Sequence, residues 1–177
     1  MTVQVVDKGW ERIVRELGAS DGSFVKVGFV GENNPQHKNS KMDMASLAAI
    51  HEFGADEVSI PARPFMSQAF DKNRGELNDF ISREYNRVLT GQQDAEGGLK
   101  RIGDWFKGKI QKEIKDGDFK SLAASTIAAK SRKIVAAIKR KKGATTTDEK
   151  RRSSGGSTPL IETGQMMQSV DHEVVMK

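Results

Sequence analysis

An α+β fold is predicted by two observations: short β-branched runs lie near both ends of the chain, and the residues between them repeat apolar positions at helical spacing. A third, the length of 177 residues, fits a single domain spanning 1–177 rather than two separate cores. The elements follow in order. Thr2–Val6 reads as a first strand. Trp10, Ile13, Val14 and Leu17 form one apolar stripe of a short helix that Asp7 could cap and Gly18 could end. Phe24, Val25, Val27, Phe29 and Val30 make a second strand, bracketed by Gly22-Ser23 and Gly31-Glu32. Gly31 to Lys41, with Asn33-Asn34-Pro35, reads as a loop.

Met44, Leu47, Ala48 and His51 mark a short helix stopped by Gly54. Asp56 to Pro64 holds Pro61 and Pro64, which disfavour helix and force an extended backbone. Phe65 to Leu89 carries Leu77, Phe80, Ile81, Tyr85 and Val88 at helical spacing and is the longest predicted helix. Gly91 and Gly97-Gly98 punctuate, after which Leu99, Ile102, Phe106, Ile110 and Ile114 define another helix ending near Gly117. Ser125 or Thr126 could cap a further helix with Ile127, Ile134, Val135 and Ile138 on one face. Gly143 to Pro159 has no periodicity and is too long for an ordinary connector, so it is expected to be either functional or mobile. A helical turn near Ile161–Ser169 and a final strand, Val170 to Met176, complete the chain. No internal repeat is visible.

Composition narrows the function. Apolar residues make up 36% and aromatics 6%, so the core must be modest and the chain is expected to lean on neighbours. There is no cysteine, which removes disulfides, thiol nucleophiles and thiolate metal sites. No apolar stretch approaches the ~20 residues that span a bilayer, and no leader pattern opens the chain, so a soluble, unprocessed protein without membrane contact is expected.

Charge is unevenly spread. Residues 1–92 carry a net −2 and residues 93–177 a net +7. Lys130 to Arg152 holds ten Lys/Arg against Asp148 and Glu149, a net of +8 with no aromatic residue. Such a stretch can hold a polyanion by charge but lacks the rings of a single-strand reader, and it reads equally as a solvated surface arm.

Catalytic and metal motifs are absent from the sequence. His51-Glu52 lacks the second histidine of a zinc-protease helix, Ala55 standing in its place. His37 and His172 are isolated, so no metal site is expected. Gly143-Ala-Thr-Thr-Thr has neither the second glycine nor the lysine of a phosphate loop, and no Gly-x-Gly-x-x-Gly follows an early strand. Ser125, Ser157 and Ser169 lack a nucleophile elbow, and no carboxylate pair stands out. No enzyme activity and no cofactor are expected.

Three phrases are more distinctive. The first joins Leu47-Ala-Ala-Ile-His-Glu-Phe-Gly to Ile60-Pro-Ala-Arg-Pro-Phe. Pro61 and Pro64 lower the entropy cost of holding this segment extended, Phe65 can anchor the next helix in the core, and Arg63 can fork to a carboxylate. The second is Leu122-x-x-Ser-Thr-Ile-x-x-Lys, and the third is Pro159-Leu-Ile-Glu-Thr-Gly-x-Met-x-x-Ser-Val.

In this order, from about Ala45 to Val174, the phrases resemble the tail-completion or neck proteins of tailed bacteriophages, a group that includes the Mu-like virion morphogenesis proteins. The resemblance implies a small mixed sheet packed by long helices. It further implies a non-catalytic virion protein that assembles in the host cytoplasm and forms a ring on the channel axis between DNA-filled head and tail. A homo-oligomeric ring, six-fold in preference to twelve-fold, would contact neighbouring connector and tail proteins. Ile60, Pro61, Arg63, Pro64 and Phe65 are the expected interface. Lys139, Arg140, Lys141, Lys142, Lys150, Arg151 and Arg152, within a long, flexible basic insertion at 139–158, are expected to face DNA or an acidic neighbour. The alternative is a free nucleic-acid-binding protein using the basic C-terminal half, against which stand the small total net charge of +5 and the lack of a reading helix.

Overall fold

The computed structural model describes residues 9–30, 35–36, 42–58, 60–119, 160 and 164–177. The expected strand Thr2–Val6, the helix led by Ser125 or Thr126 and the basic segment from Lys139 to Arg152 lie outside them. Five helices, one 3-10 turn and two strands make up the described chain, an α+β arrangement.

The first helix, α1 (Trp10–Ser20), follows Gly9 in the left-handed region and runs past Gly18 to Ser20. Asp21 then returns its N–H to the carbonyls of Leu17 and Gly18. Strand β1 (Phe24–Gly28) follows. Helix α2 (Met44–Phe53) begins at Asp43, whose carboxylate accepts the Ser46 N–H at 2.8 Å, a cap that the apolar pattern did not signal. Helix α3 (Phe65–Leu89) and helix α4 (Ala95–Asp116) pack against each other as a hairpin. A helical turn, α5 (Gln165–Gln168), leads into strand β2 (Asp171–Val175).

One boundary differs from the sequence expectation. Gly97-Gly98 reads as a break, yet both glycines lie in the first turn of α4. Asp94 accepts the Gly97 N–H at 2.8 Å and fixes the start of the helix. Gly98 is buried against α3, where a Cβ would stand 3.2 Å from Val88 Cγ2, so the small residue permits close helix approach.

The two strands come from opposite ends of the chain and pair antiparallel, Phe24 opposite Val175 and Gly28 opposite Asp171. Opposed residues share a face, so Val25, Val27, His172 and Val174 lie on one side of the sheet. That side rests on α4: a Cβ at Gly103 would come within 2.6 Å of the His172 ring and 2.9 Å of Val25. The other face carries the half-exposed pair Lys26–Glu173 at 3.8 Å. Among the described residues the sheet has these two strands.

The core sits at one end of the helical hairpin. Met44 and Ala48 of α2, Phe65 and Ala69 at the start of α3, Ile110 and Ile114 at the end of α4, and Leu160, Met166 and Val170 bury one another. Phe29 meets Phe65 edge-on, with ring centroids 6.3 Å apart. Further along the hairpin Phe80 stacks on Trp105, and Val88 and Ala95 are buried near its turn.

Candidate functional site

The phrases Leu47–Gly54 and Ile60–Phe65 form one built turn at the start of α3. Gly54 ends α2 at φ 78°, and a side chain there would press to 2.8 Å from the Ala62 backbone nitrogen. Ala55 and Ile60 exchange backbone hydrogen bonds of 2.9 and 3.0 Å, closing a small hairpin over the 3-10 turn Asp56–Val58. The Arg63 N–H donates to the His51 carbonyl at 2.7 Å, and the Phe65 N–H donates back to Arg63 across Pro64, whose φ −75° and ψ 68° are those of an inverse γ-turn.

Proline at the head of α3 offers no capping side chain, so the helix would leave its first N–H groups unpaired. Glu52 supplies the acceptors from α2. Its carboxylate accepts the N–H groups of Met66 and Ser67, both at 2.9 Å, and the Ser67 hydroxyl at 2.6 Å, while the residue is only 7% exposed. A carboxylate at a helix N-terminus also meets the positive end of the helix dipole. Thus Glu52 welds α2 to α3. No local spacing rule signals this, because the cap reaches over fourteen residues of chain.

The predicted interface residues divide. Arg63 is 4% exposed and Phe65 fully buried, so both are structural parts of this chain, and burial holds the Arg63 guanidinium below the usual arginine value by desolvation. Phe65 is the core anchor that the sequence suggests. Ile60, Pro61 and Pro64 are half-buried, and Ala62 is exposed. A residue that the sequence reading passed over stands out instead: Phe53, 80% exposed, beside the exposed carboxylates of Asp56 and Glu57. The basic set Lys139, Arg140, Lys141, Lys142, Lys150, Arg151 and Arg152 lies outside the described residues.

At the far end of α3 a second feature appears. α1 docks there through charge at helix ends. Arg12 donates to the carbonyls of Val88 and Leu89 at 3.0 and 2.8 Å, closing the C-terminus of α3, and Glu16 accepts the Ala95 N–H at 3.0 Å at the start of α4. Most of the apolar stripe of α1 consequently lies exposed, with Trp10 69% and Val14 49% exposed, while Ile13 is half-buried and no residue of the helix is fully buried. Between α1, α3 and α4 lies an apolar groove of about 190 Å³, walled by Ile81, Tyr85, Val88, Leu99 and Ile102. Glu84 at its edge is buried, ion-paired with Arg101 at 2.8 Å and accepting the Gln93 amide N–H at 2.9 Å.

Among the described residues no three His, Asp or Glu side chains converge as a metal site requires, and no helix is long and apolar enough to cross a membrane. Protein-family models, curated proteins and solved structures yield no match to this chain.

Proposed function

We propose that this chain is a non-catalytic structural subunit of the neck of a tailed bacteriophage, assembling into a ring that completes the tail and joins it to the DNA-filled head. One observation carries the reading. The two phrases that bear most of the resemblance converge on a single braced turn, and that turn holds an aromatic residue out in solvent where a neighbouring subunit can cover it. The outward apolar stripe of α1 and the confinement of the core to one end of the hairpin support the same reading, since such a protomer gains stability from subunit contacts. A six-fold ring in the virion is the form proposed, with neighbouring connector and tail proteins as partners and with no cofactor.

Electron microscopy of lysates from the source phage lacking this gene tests the reading. DNA-filled heads accumulating beside separate tails, and rejoined on complementation, are expected; normal virions would overturn it. The local net charge of +8 between Lys130 and Arg152 favours a second reading, a free nucleic-acid binder. That protein would hold duplex DNA at physiological salt with a steep salt dependence, whereas a neck subunit needs no such affinity as a monomer.

A further inference from the structure

We propose that a second copy of this chain covers the outer face of α2, the two helices packing antiparallel about a twofold axis. The pair is a property of the free chain and does not rest on the neck reading. α2 is apolar on more than one side. Met44 and Ala48 are buried in the core, while Ser46, Ala49 and Phe53 lie exposed on the outer face, with Met42, 38% exposed, just ahead of the Asp43 cap. Ser46, Ala49 and Phe53 span about 60° of the helix, and no charged side chain lies among them. The exposed sides of α1, α3 and α4 differ, carrying Glu11 and Arg15, Lys72 and Arg74, and Lys100 and Lys112. A helix that is apolar all round belongs in an interior, and within this chain α2 reaches one on a single side.

The face is its own complement, which selects a second copy as the occupant. Positions 42 and 53 share a midpoint with positions 46 and 49. In an antiparallel pair centred there, Met42 of one copy stands level with Phe53 of the other, and Ser46 with Ala49. Small residues at the centre let the helices approach closely, and a thioether lies against an aromatic ring at each end. The Ser46 hydroxyl already donates to the Asp43 carboxylate at 2.9 Å, so covering it strands no donor. Charge agrees at the ends: Asp56 and Glu57 are exposed just past Phe53, and Lys41 is bonded to Met42, their Cα atoms about 3.8 Å apart. The twofold brings the cation of each copy to the carboxylates of the other. A patch that meets itself closes at two copies. Ten helical residues, about 15 Å long and about 10 Å wide, fall well short of the ~800 Å² per partner of a tight complex, so a dissociation constant of about 10–500 μM is expected.

Sedimentation velocity compares the full chain with Phe53→Ser over a concentration series, with circular dichroism to check folding; Ala49→Lys replaces Phe53→Ser if the latter misfolds. The full chain should pass from monomer to dimer, and the variant should associate roughly 10- to 100-fold more weakly. Because the chain has no cysteine, single cysteines read the pairing directly. Ser46→Cys and Ala49→Cys chains are mixed in equal amounts and oxidised mildly, with Ser82→Cys on the exposed side of α3 as the control. The mixed 46–49 disulfide should exceed its random share and outpace every dimer that contains the control chain. A full chain that stays monomeric to millimolar concentration, disulfides that form without preference, or association that survives both Phe53→Ser and Ala49→Lys each overturn the contact. Growth past the dimer that Phe53→Ser abolishes would mean a head-to-tail contact and overturn the twofold. So would a Phe53→Ser chain that melts lower yet associates as before, which would mark the face as covered by its own chain.

Discussion

Replacing Glu52 with alanine removes the acceptor for two backbone N–H groups and one hydroxyl at a single buried helix start. Hydrogen bonds to a charged group contribute about 1.5–3 kcal/mol each, and three that share one carboxylate do not add independently, so a loss of about 3 kcal/mol is expected. Pro64 provides no substitute cap, so the N–H groups of Met66 and Ser67 lose their acceptor. Glu52→Gln keeps one acceptor oxygen but turns an NH₂ group toward a donor, and should cost about half as much. Urea unfolding followed by far-UV circular dichroism reads the change as a lower midpoint at unchanged slope. At ~2–4 °C per kcal/mol for a chain of this size, the alanine variant should melt about 6–12 °C lower. A loss below ~0.5 kcal/mol would refute the assignment of Glu52 as the cap of α3.

Two further outcomes follow from close contacts elsewhere. Gly103→Ala places a methyl group within 2.9 Å of both the His172 ring and Val25, so the sheet must lift from α4; about 1–3 kcal/mol should be lost by the same unfolding assay. Arg12→Ala removes the guanidinium donor from the carbonyls of Val88 and Leu89, Val88 still accepting the Gly91 N–H, and leaves α1 held at Glu16 alone, so amide exchange should accelerate selectively across residues 10–20 while the amides of Ile110 and Ile114 keep their protection.

The helices were legible because their apolar residues recur at three and four positions; α3 and α4 appear where Leu77 to Val88 and Leu99 to Ile114 predict them. The early and late strands were equally legible from Phe24–Val27 and Val174–Val175, although nothing local says that they pair with each other. Periodicity misleads where a stripe does not face the core. Val14 and Leu17 of α1, and Ile81 and Tyr85 of α3, repeat at core-like spacing yet lie exposed, because α1 is oriented by Arg12 and Glu16 on helix ends rather than by burial. The turn at Ile60–Phe65 was recognisable from its two prolines. The inward direction of Arg63 was not, since it depends on the hydrogen bond from its own N–H to His51, and Glu52 reads in sequence as one more surface carboxylate. Phe53 follows from the same ambiguity: one residue beyond Glu52, it is turned by about 100° around α2 and off the buried face.

The pairing of β1 with β2 leaves nearly the whole chain as a single closed excursion, pinned again at Phe119, which packs on the core, and at Leu160, which is buried in it. Phe119 and Leu160, forty-one positions apart in the sequence, thus reach the same core. Because closure entropy grows slowly with length, about 0.6 kcal/mol for each doubling, residues added between these two anchors should leave the stability of the hairpin, the sheet and the braced turn almost unchanged.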